Sequence, residues 1–234
     1  MRVVVFGANG PTGRILTRRL LAEGHHTVAV TRHPELFDIR HEALTVTTAD
    51  ATDPAAVRTA IAGADAVASL LGTPFGRKPI TLYSHSASAI TAAMTDAGIP
   101  RLVVTSSAAV TDWVDPAWKW YERRFTHRVL GALGRTLYDD MRRMEDIVAR
   151  TELRWTVMRP LGLAELDAPT TYEVAVDHIP GRQTARRDLA EAIIDRLHRD
   201  DYVHQAVAVA TTNKSLGIGQ TIWREGIRPK LHRR

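Results

Sequence analysis

The chain contains no cysteine, which excludes disulfides, a thiol nucleophile and any thiolate metal site. It has no apolar run long enough to cross a membrane. No cleavable leader pattern opens it, because the first apolar segment runs straight into a glycine-rich turn, and a cytoplasmic location is expected. Internal repeats and low-complexity linkers are absent as well. Much of the net charge of +5 lies in the tail, residues 224–234, which reads as a solvated terminus. No helix-turn-helix pattern or aromatic-basic repeat accompanies it, so neither nucleic acid nor membrane is expected as a partner. What remains is 234 residues at 44% hydrophobic and 24% charged content. That suits one elaborated α/β domain over residues 1–211, followed by an irregular basic tail, 212–234.

The informative stretch comes first. Residues 2–6, Arg-Val-Val-Val-Phe, form a β-branched apolar run that predicts a buried strand. Glycines follow at 7, 10 and 13, and then Ile15, Leu16, Leu20 and Leu21 at helical spacing. A strand, a glycine-rich turn and a helix are what a dinucleotide pyrophosphate site requires. Gly7 permits the tight turn, Gly10 lets backbone approach phosphate, and Gly13 lets helix and strand pack closely. The unsatisfied N–H groups and dipole of the helix then hold the anion.

Next, residues 26–31 alternate as a second strand ending at Thr31-Arg32-His33-Pro34. A site for NAD places a carboxylate about here, roughly 20 residues beyond the glycines. This chain has Arg32 instead, and a guanidinium pairs with the 2′-phosphate of NADP. Residues 43–49 predict a third strand. Asp50 after it is either an acceptor for the adenine amino group or a turn aspartate, and Asp53-Pro54 reads as a helix cap. A fourth strand over 64–71 ends at Gly72-Thr73-Pro74, a loop bordering the middle of the cofactor. A helix over 82–97 turns Tyr83, Ala87, Ile90 and Met94 to one face. His85 on it has no second histidine at metal-binding spacing.

The fifth strand starts at 101–104 and runs into Thr105, Ser106 and Ser107. Ser107 either bonds the nicotinamide or a substrate carbonyl, or satisfies backbone in the following loop. Residues 111–137 carry Trp113, Trp118, Trp120, Tyr121 and Phe125, which wall a pocket for a planar substrate or pack an inserted helix. A helix over 138–149 points Met141, Met144, Ile147 and Val148 inward, and a sixth strand covers 154–160. From there to about residue 182 the chain, with Pro169 and Pro180-Gly181, reads as a loop-like substrate flap. Asp188 with Glu191 reads as a capping box for a helix ending near Leu197. A last strand covers 205–210.

Strands alternating with helices predict a Rossmann-like, doubly wound parallel sheet in a single domain, with insertions at about 111–137 and 161–183. The set Gly7-x-x-Gly10-x-x-Gly13, Thr31-Arg32-x-Pro34, Val103-Val-Thr-Ser-Ser107, Glu145 and Trp155-Thr-x-x-Arg159-Pro160 resembles the atypical short-chain dehydrogenase/reductases. Within them it is most similar to the NAD(P)H-binding, NmrA-like group that includes biliverdin-IXβ/flavin reductases. The resemblance covers about residues 1–200. It implies NADPH as cofactor, with Gly7, Asn9, Gly10, Pro11, Thr12, Gly13, Arg32, Asp50, Ala51, Leu71, Gly72, Ser106 and Pro160 as candidate contacts.

The family's usual Tyr-x-x-x-Lys pair is missing, since none of the five tyrosines has a lysine four residues on. The nearest match is Tyr138-x-x-x-Arg142. Flavin-reductase relatives use a serine at the place of Ser107, so Ser107 and Tyr138 are the candidate catalytic residues, in that order. The expected activity is hydride transfer to a small conjugated acceptor such as a flavin, quinone or enone, by a monomer or homodimer. The alternatives are an NADP(H)-sensing regulator without turnover and a sugar-nucleotide epimerase or dehydratase.

Overall fold

A computed structural model describes residues 1–76, 78–111, 113–166 and 170–212, giving the backbone alone over 121–133. The basic tail beyond Thr212 therefore lies outside the described residues, as do Pro169 and the side chains of Tyr121 and Phe125. Among the described residues ten strands and five α-helices follow in order: β1 (Arg2–Phe6), α1 (Pro11–Ala22), β2 (His26–Thr31), β3 (Leu44–Thr48), α2 (Pro54–Ile61), β4 (Ala66–Ser69), α3 (Leu82–Ala97), β5 (Arg101–Thr105), α4 (Trp120–Ala149), β6 (Arg154–Pro160), β7 (Gly162–Ala164), β8 (Tyr172–Val176), β9 (Gln183–Ala185), α5 (Arg186–His198) and β10 (Gln205–Thr211).

The main sheet has eight strands in the order β3-β2-β1-β4-β5-β6-β10-β8. All neighbours are parallel except β10 and β8. The chain leaves β1 toward β2 on one side and later returns to β4 on the other. Ligands bind at such a reversal point, outside the carboxyl ends of the strands. Helices cover both faces, so the central strands read as unbroken apolar runs. Val4, Phe6, Ile90, Met94, Leu102 and Val148 build the core beneath α2, α3 and α4. Val3, Val5, Leu16, Leu20, Ile193 and Val207 build the other beneath α1 and α5.

The expected cap holds at α2, where Asp53 Oδ1 accepts from the amides of Ala55 and Ala56. At α3 the residue at the cap position, Thr81, gives no side-chain bond. The fully buried carboxylate of Asp140, on α4, accepts there from the amides of Tyr83 and Ser84 and from the Ser84 hydroxyl at 2.5 Å. One helix thus caps another.

Three expectations need correction. The helix over 138–149 is the second half of α4, which begins at Trp120, so the basic-aromatic segment continues into it. The segment 161–182 is not wholly loop. It holds β7 and β8, the latter pairing antiparallel with β10 from Val207↔Val176 to Thr211↔Tyr172. An isolated five-residue strand carries little signal without its partner. Asp188 and Glu191 form no capping box, since the cap of α5 is Ala185. Asp188 sits inside the first turn, buried, accepting from the hydroxyls of Thr170 and Thr211. Glu191 instead pairs with Arg19 on α1, Nε to Oε1 at 2.6 Å.

Candidate functional site

Parallel pairing delivers every strand end of the sheet's first six strands to one edge. The registers Phe6↔Ser69, Thr31↔Thr48 and Thr105↔Met158 align them. In sheet order the edge presents Asp50 and Ala51 after β3, Arg32 after β2, the glycine loop after β1, Leu71 and Gly72 after β4, Ser106 and Ser107 after β5, and Pro160 closing β6. The residues expected to touch a cofactor thus lie along one edge of the sheet.

The glycine loop has the features of an anion cradle. Gly7 has φ +78° and its amide plane lies so close to Leu70 that an added Cβ would sit 2.7 Å from the Leu70 carbonyl carbon. A Cβ on Gly13 would overlap the Gly7 carbonyl oxygen and lie 2.8 Å from Ala8 Cα. Gly10 differs, because a Cβ there would meet only the Gly7 carbonyl oxygen at 3.2 Å and otherwise open space. No side chain caps α1, and no acid stands in its first turn. In the loop Gly10 N–H donates to the Gly7 carbonyl, and the next amide bonded back is Arg14 N–H to the Gly10 carbonyl. Among the described residues, Thr12 and Gly13 therefore keep amides without a backbone acceptor, which is the arrangement a pyrophosphate uses.

Beside the loop stands Arg14, which sequence reasoning missed. Its guanidinium donates to the Asn9 carbonyl at 3.2 Å, to Asn9 Oδ1 at 2.5 Å, to the Leu36 carbonyl and to Asp38, and it lies over the Phe37 ring. These bonds tie the glycine loop to the segment after β2 and hold the Asp38 carboxyl below the usual carboxylate range. Asn9 serves here by orienting Arg14. Arg32 is exposed at the end of β2 with no hydrogen bond or ion pair among the described residues. Asp50 takes the turn geometry, Oδ1 accepting from the amide and hydroxyl of Thr52 at 2.9 and 2.7 Å. Those bonds, and then the charge of Arg32, lower its pKa.

Arg186 is a second residue missed from sequence. It opens α5 and donates to Thr12 Oγ1 at 3.3 Å, placing a guanidinium beside the first turn of α1. The two residues are 174 positions apart, and no local pattern marks the pair.

At the far side of the crevice, Ser107 Oγ accepts from the Ala109 amide at 3.2 Å, capping a short 3-10 turn, Ala108–Val110. Its O–H remains as a donor. Ser106 is buried and its hydroxyl has no partner among the described residues. Buried hydroxyls are seldom left so, and one at a strand end facing a crevice is a candidate for a ligand. Arg142 Nε donates to the Val110 carbonyl at 2.8 Å and its Nη1 to Asp139, tying α4 to the turn after Ser107. Tyr138 is buried against Gly134 and meets the Phe75 ring edge-on. Glu145 on α4 and Arg159 on β6 form a half-buried bidentate pair at 2.6 and 3.2 Å that pins the same helix to the strand-end edge.

The two insertions meet each other. Trp113 stacks on His178 with centroids 4.7 Å apart. Trp118 donates through Nε1 to the Gly181 carbonyl at 3.2 Å and carries Arg182 over its ring. Asp115 accepts from the Gly181 amide at 3.0 Å. Both tryptophans precede α4 in the chain and are half-buried, whereas Trp120 at the start of α4 is exposed.

Solved structures share this architecture. A short-chain dehydrogenase/reductase from Veillonella parvula in complex with NADP superposes with a TM-score of 0.73 at 20% identity, covering 91% of this chain and 95% of that one. ChuY, an anaerobilin reductase from Escherichia coli O157:H7, gives 0.72 at 20% identity over 93% and 100%. At such identities the likeness is one of fold. An uncharacterized protein of Mycobacterium tuberculosis is 38% identical over 108 residues, 46% of this chain, and the chain spans only 12% of that relative's length. A family model described as NAD(P)H-binding matches residues 7–200, from the first glycine of the loop to just past α5, and the chain belongs to this NAD(P)H-binding family.

Proposed function

We propose that the protein is an NADPH-dependent reductase of the NmrA-like kind that acts on a small, flat, conjugated acceptor. The observation that carries this reading is the edge itself. Its donors change in sheet order from a free guanidinium, through uncapped helix amides, to serine hydroxyls, with no carboxylate at the end of β2. A nicotinamide dinucleotide fits that series, and when bound it supplies a hydride. Thr12, Gly13 and Arg186 would hold its pyrophosphate, Arg32 a 2′-phosphate, and Gly72 and Pro160 would border the crevice. Ser107, whose Oγ is oriented by the Ala109 amide, would donate to the nicotinamide amide or to an acceptor carbonyl. The Trp113–His178 and Trp118–Gly181 contacts give the acceptor side an aromatic rim and exclude water.

A second reading, binding without turnover, is favoured by Arg142. Where the usual dehydrogenase has a lysine, this arginine is committed to Val110 and Asp139. Incubating the protein with NADPH and a panel of flavins, quinones and enones separates the two. Acceptor-dependent loss of the reduced-nicotinamide absorbance supports the reductase. Tight binding with no oxidation across the panel supports the sensor.

A further inference from the structure

The edge of the sheet opposite the glycine loop carries a cluster that dinucleotide binding leaves unused. Helices α1 and α5 run side by side in the same direction, with Thr12 and Arg186 meeting at their first turns. Beyond their last turns, His25 Nε2 and His198 Nε2 lie 3.0 Å apart, the rings tilted by 37°. Glu23 Oε2 lies 3.9 Å from His25 Nε2, and one ligand atom from each residue falls within 4.8 Å of the others. Gly24, at φ +81°, turns the chain so that Glu23 and His25 face the same point.

We propose that Glu23, His25 and His198 bind a divalent transition-metal ion of the zinc class, clamping the carboxyl ends of α1 and α5 together. Two imidazoles and one carboxylate are a donor set that zinc accepts with a fourth position open, whereas magnesium and calcium prefer oxygen alone. Two nitrogens each about 2.1 Å from one tetrahedral ion stand about 3.4 Å apart, so the rings need open by only a few tenths of an ångström. Both helices end here, and the partial negative charge of their last carbonyls adds to the attraction for a cation.

The surrounding charges are compatible with this. Glu23 Oε1 takes Arg19 Nη2 at 3.3 Å, while Arg19 Nε is held by Glu191, which leaves Oε2 turned to the histidines. The Met1 amino nitrogen lies 3.4 Å from His25 Nδ1, the ring nitrogen not used. Burial, then that amino group and His198, hold the His25 pKa below its ordinary value against the opposing pull of Glu23. The two histidines are 173 residues apart, so no sequence spacing reveals them.

The test uses the untagged full chain, freed of metal with a chelator and titrated with zinc by calorimetry and thermal unfolding, without dinucleotide. One zinc should bind per chain, the melting midpoint should rise with the logarithm of free zinc, and magnesium should do neither. His198→Ala, at an exposed helix end, should melt like the metal-free wild type. It should also lose more affinity than the roughly 10- to 100-fold that removing an outer-shell partner costs. His25→Ala should behave alike, and Glu23→Gln should lose less. A wild type that takes up no zinc, or a His198→Ala variant that binds it as tightly, would overturn the proposal and leave a plain imidazole–imidazole hydrogen bond.

Discussion

Gly10 and Gly13 lie three residues apart in one loop, yet substitution should damage the protein in two different ways. At Gly13 a methyl group would overlap the Gly7 carbonyl oxygen and approach Ala8 Cα to 2.8 Å, both backbone atoms that cannot swing aside. Helix α1 must shift, and overpacking of this kind costs about 1–3 kcal/mol. For a chain of this size Gly13→Ala should lower the melting temperature by roughly 2–4 °C per kcal/mol. At Gly10 the backbone has φ −70° and ψ 161°, open to any residue, and an added Cβ meets one atom at 3.2 Å. Gly10→Val should therefore melt near the wild type. Its side chain would instead occupy the space a pyrophosphate needs. Losing two charge-assisted bonds to the amides of α1, at about 1.5–3 kcal/mol each, would weaken NADPH binding by more than roughly 100-fold. Differential scanning calorimetry and titration calorimetry on both variants read the two effects separately. A folded Gly10→Val variant that binds NADPH like the wild type would move the phosphate site elsewhere. A Gly13→Ala variant as stable as the wild type would refute the packing argument.

Arg32→Asp should erase or invert a preference for NADPH over NADH of roughly 10- to 100-fold, the value of one charge-assisted bond; equal wild-type affinities for the two cofactors in a titration would sink the assignment. Ser107→Ala should lower kcat by about tenfold for each 1.4 kcal/mol of transition-state stabilisation removed while sparing NADPH affinity. Tyr138→Phe should do less in the same steady-state assay, and the reverse order would exchange their roles. Burial pushes the Tyr83 phenol up to about 12, against the bond from the Thr73 amide and with help from the Asp140 charge. The folded state thus favours the protonated phenol, so its contribution is whole below the ordinary value near pH 10 and is lost as pH rises toward 12, in all about 2–3 kcal/mol. Urea unfolding across that window should fall less steeply in Tyr83→Phe, and parallel slopes would show that another group governs the alkaline loss.

The sequence by itself determined what local pattern can carry. The β-branched run of residues 2–6, the glycines at 7, 10 and 13, the cap at Asp53 and the bounds of α3 each depend on residues within a turn or two. Backbone freedom, capping and periodic burial act at that range, and they were enough for the parallel sheet and for the edge that gathers Arg32, Gly10, Gly72 and Ser107, while the family entered through the resemblance of the motifs. Tertiary structure decided everything that rests on partners distant in the chain. Arg14 reaches Leu36 and Asp38, Arg186 reaches Thr12, and His25 meets His198 only because α1 and α5 lie parallel on one face. The carboxylate of Asp140 caps α3 from another helix, and Asp188, which read locally as a cap, is drawn into the core by Thr170 and Thr211. Strand β8 exists only beside β10. In each case the deciding energy is a hydrogen bond or charge contact across elements, and nothing in the spacing along the chain encodes which elements become neighbours.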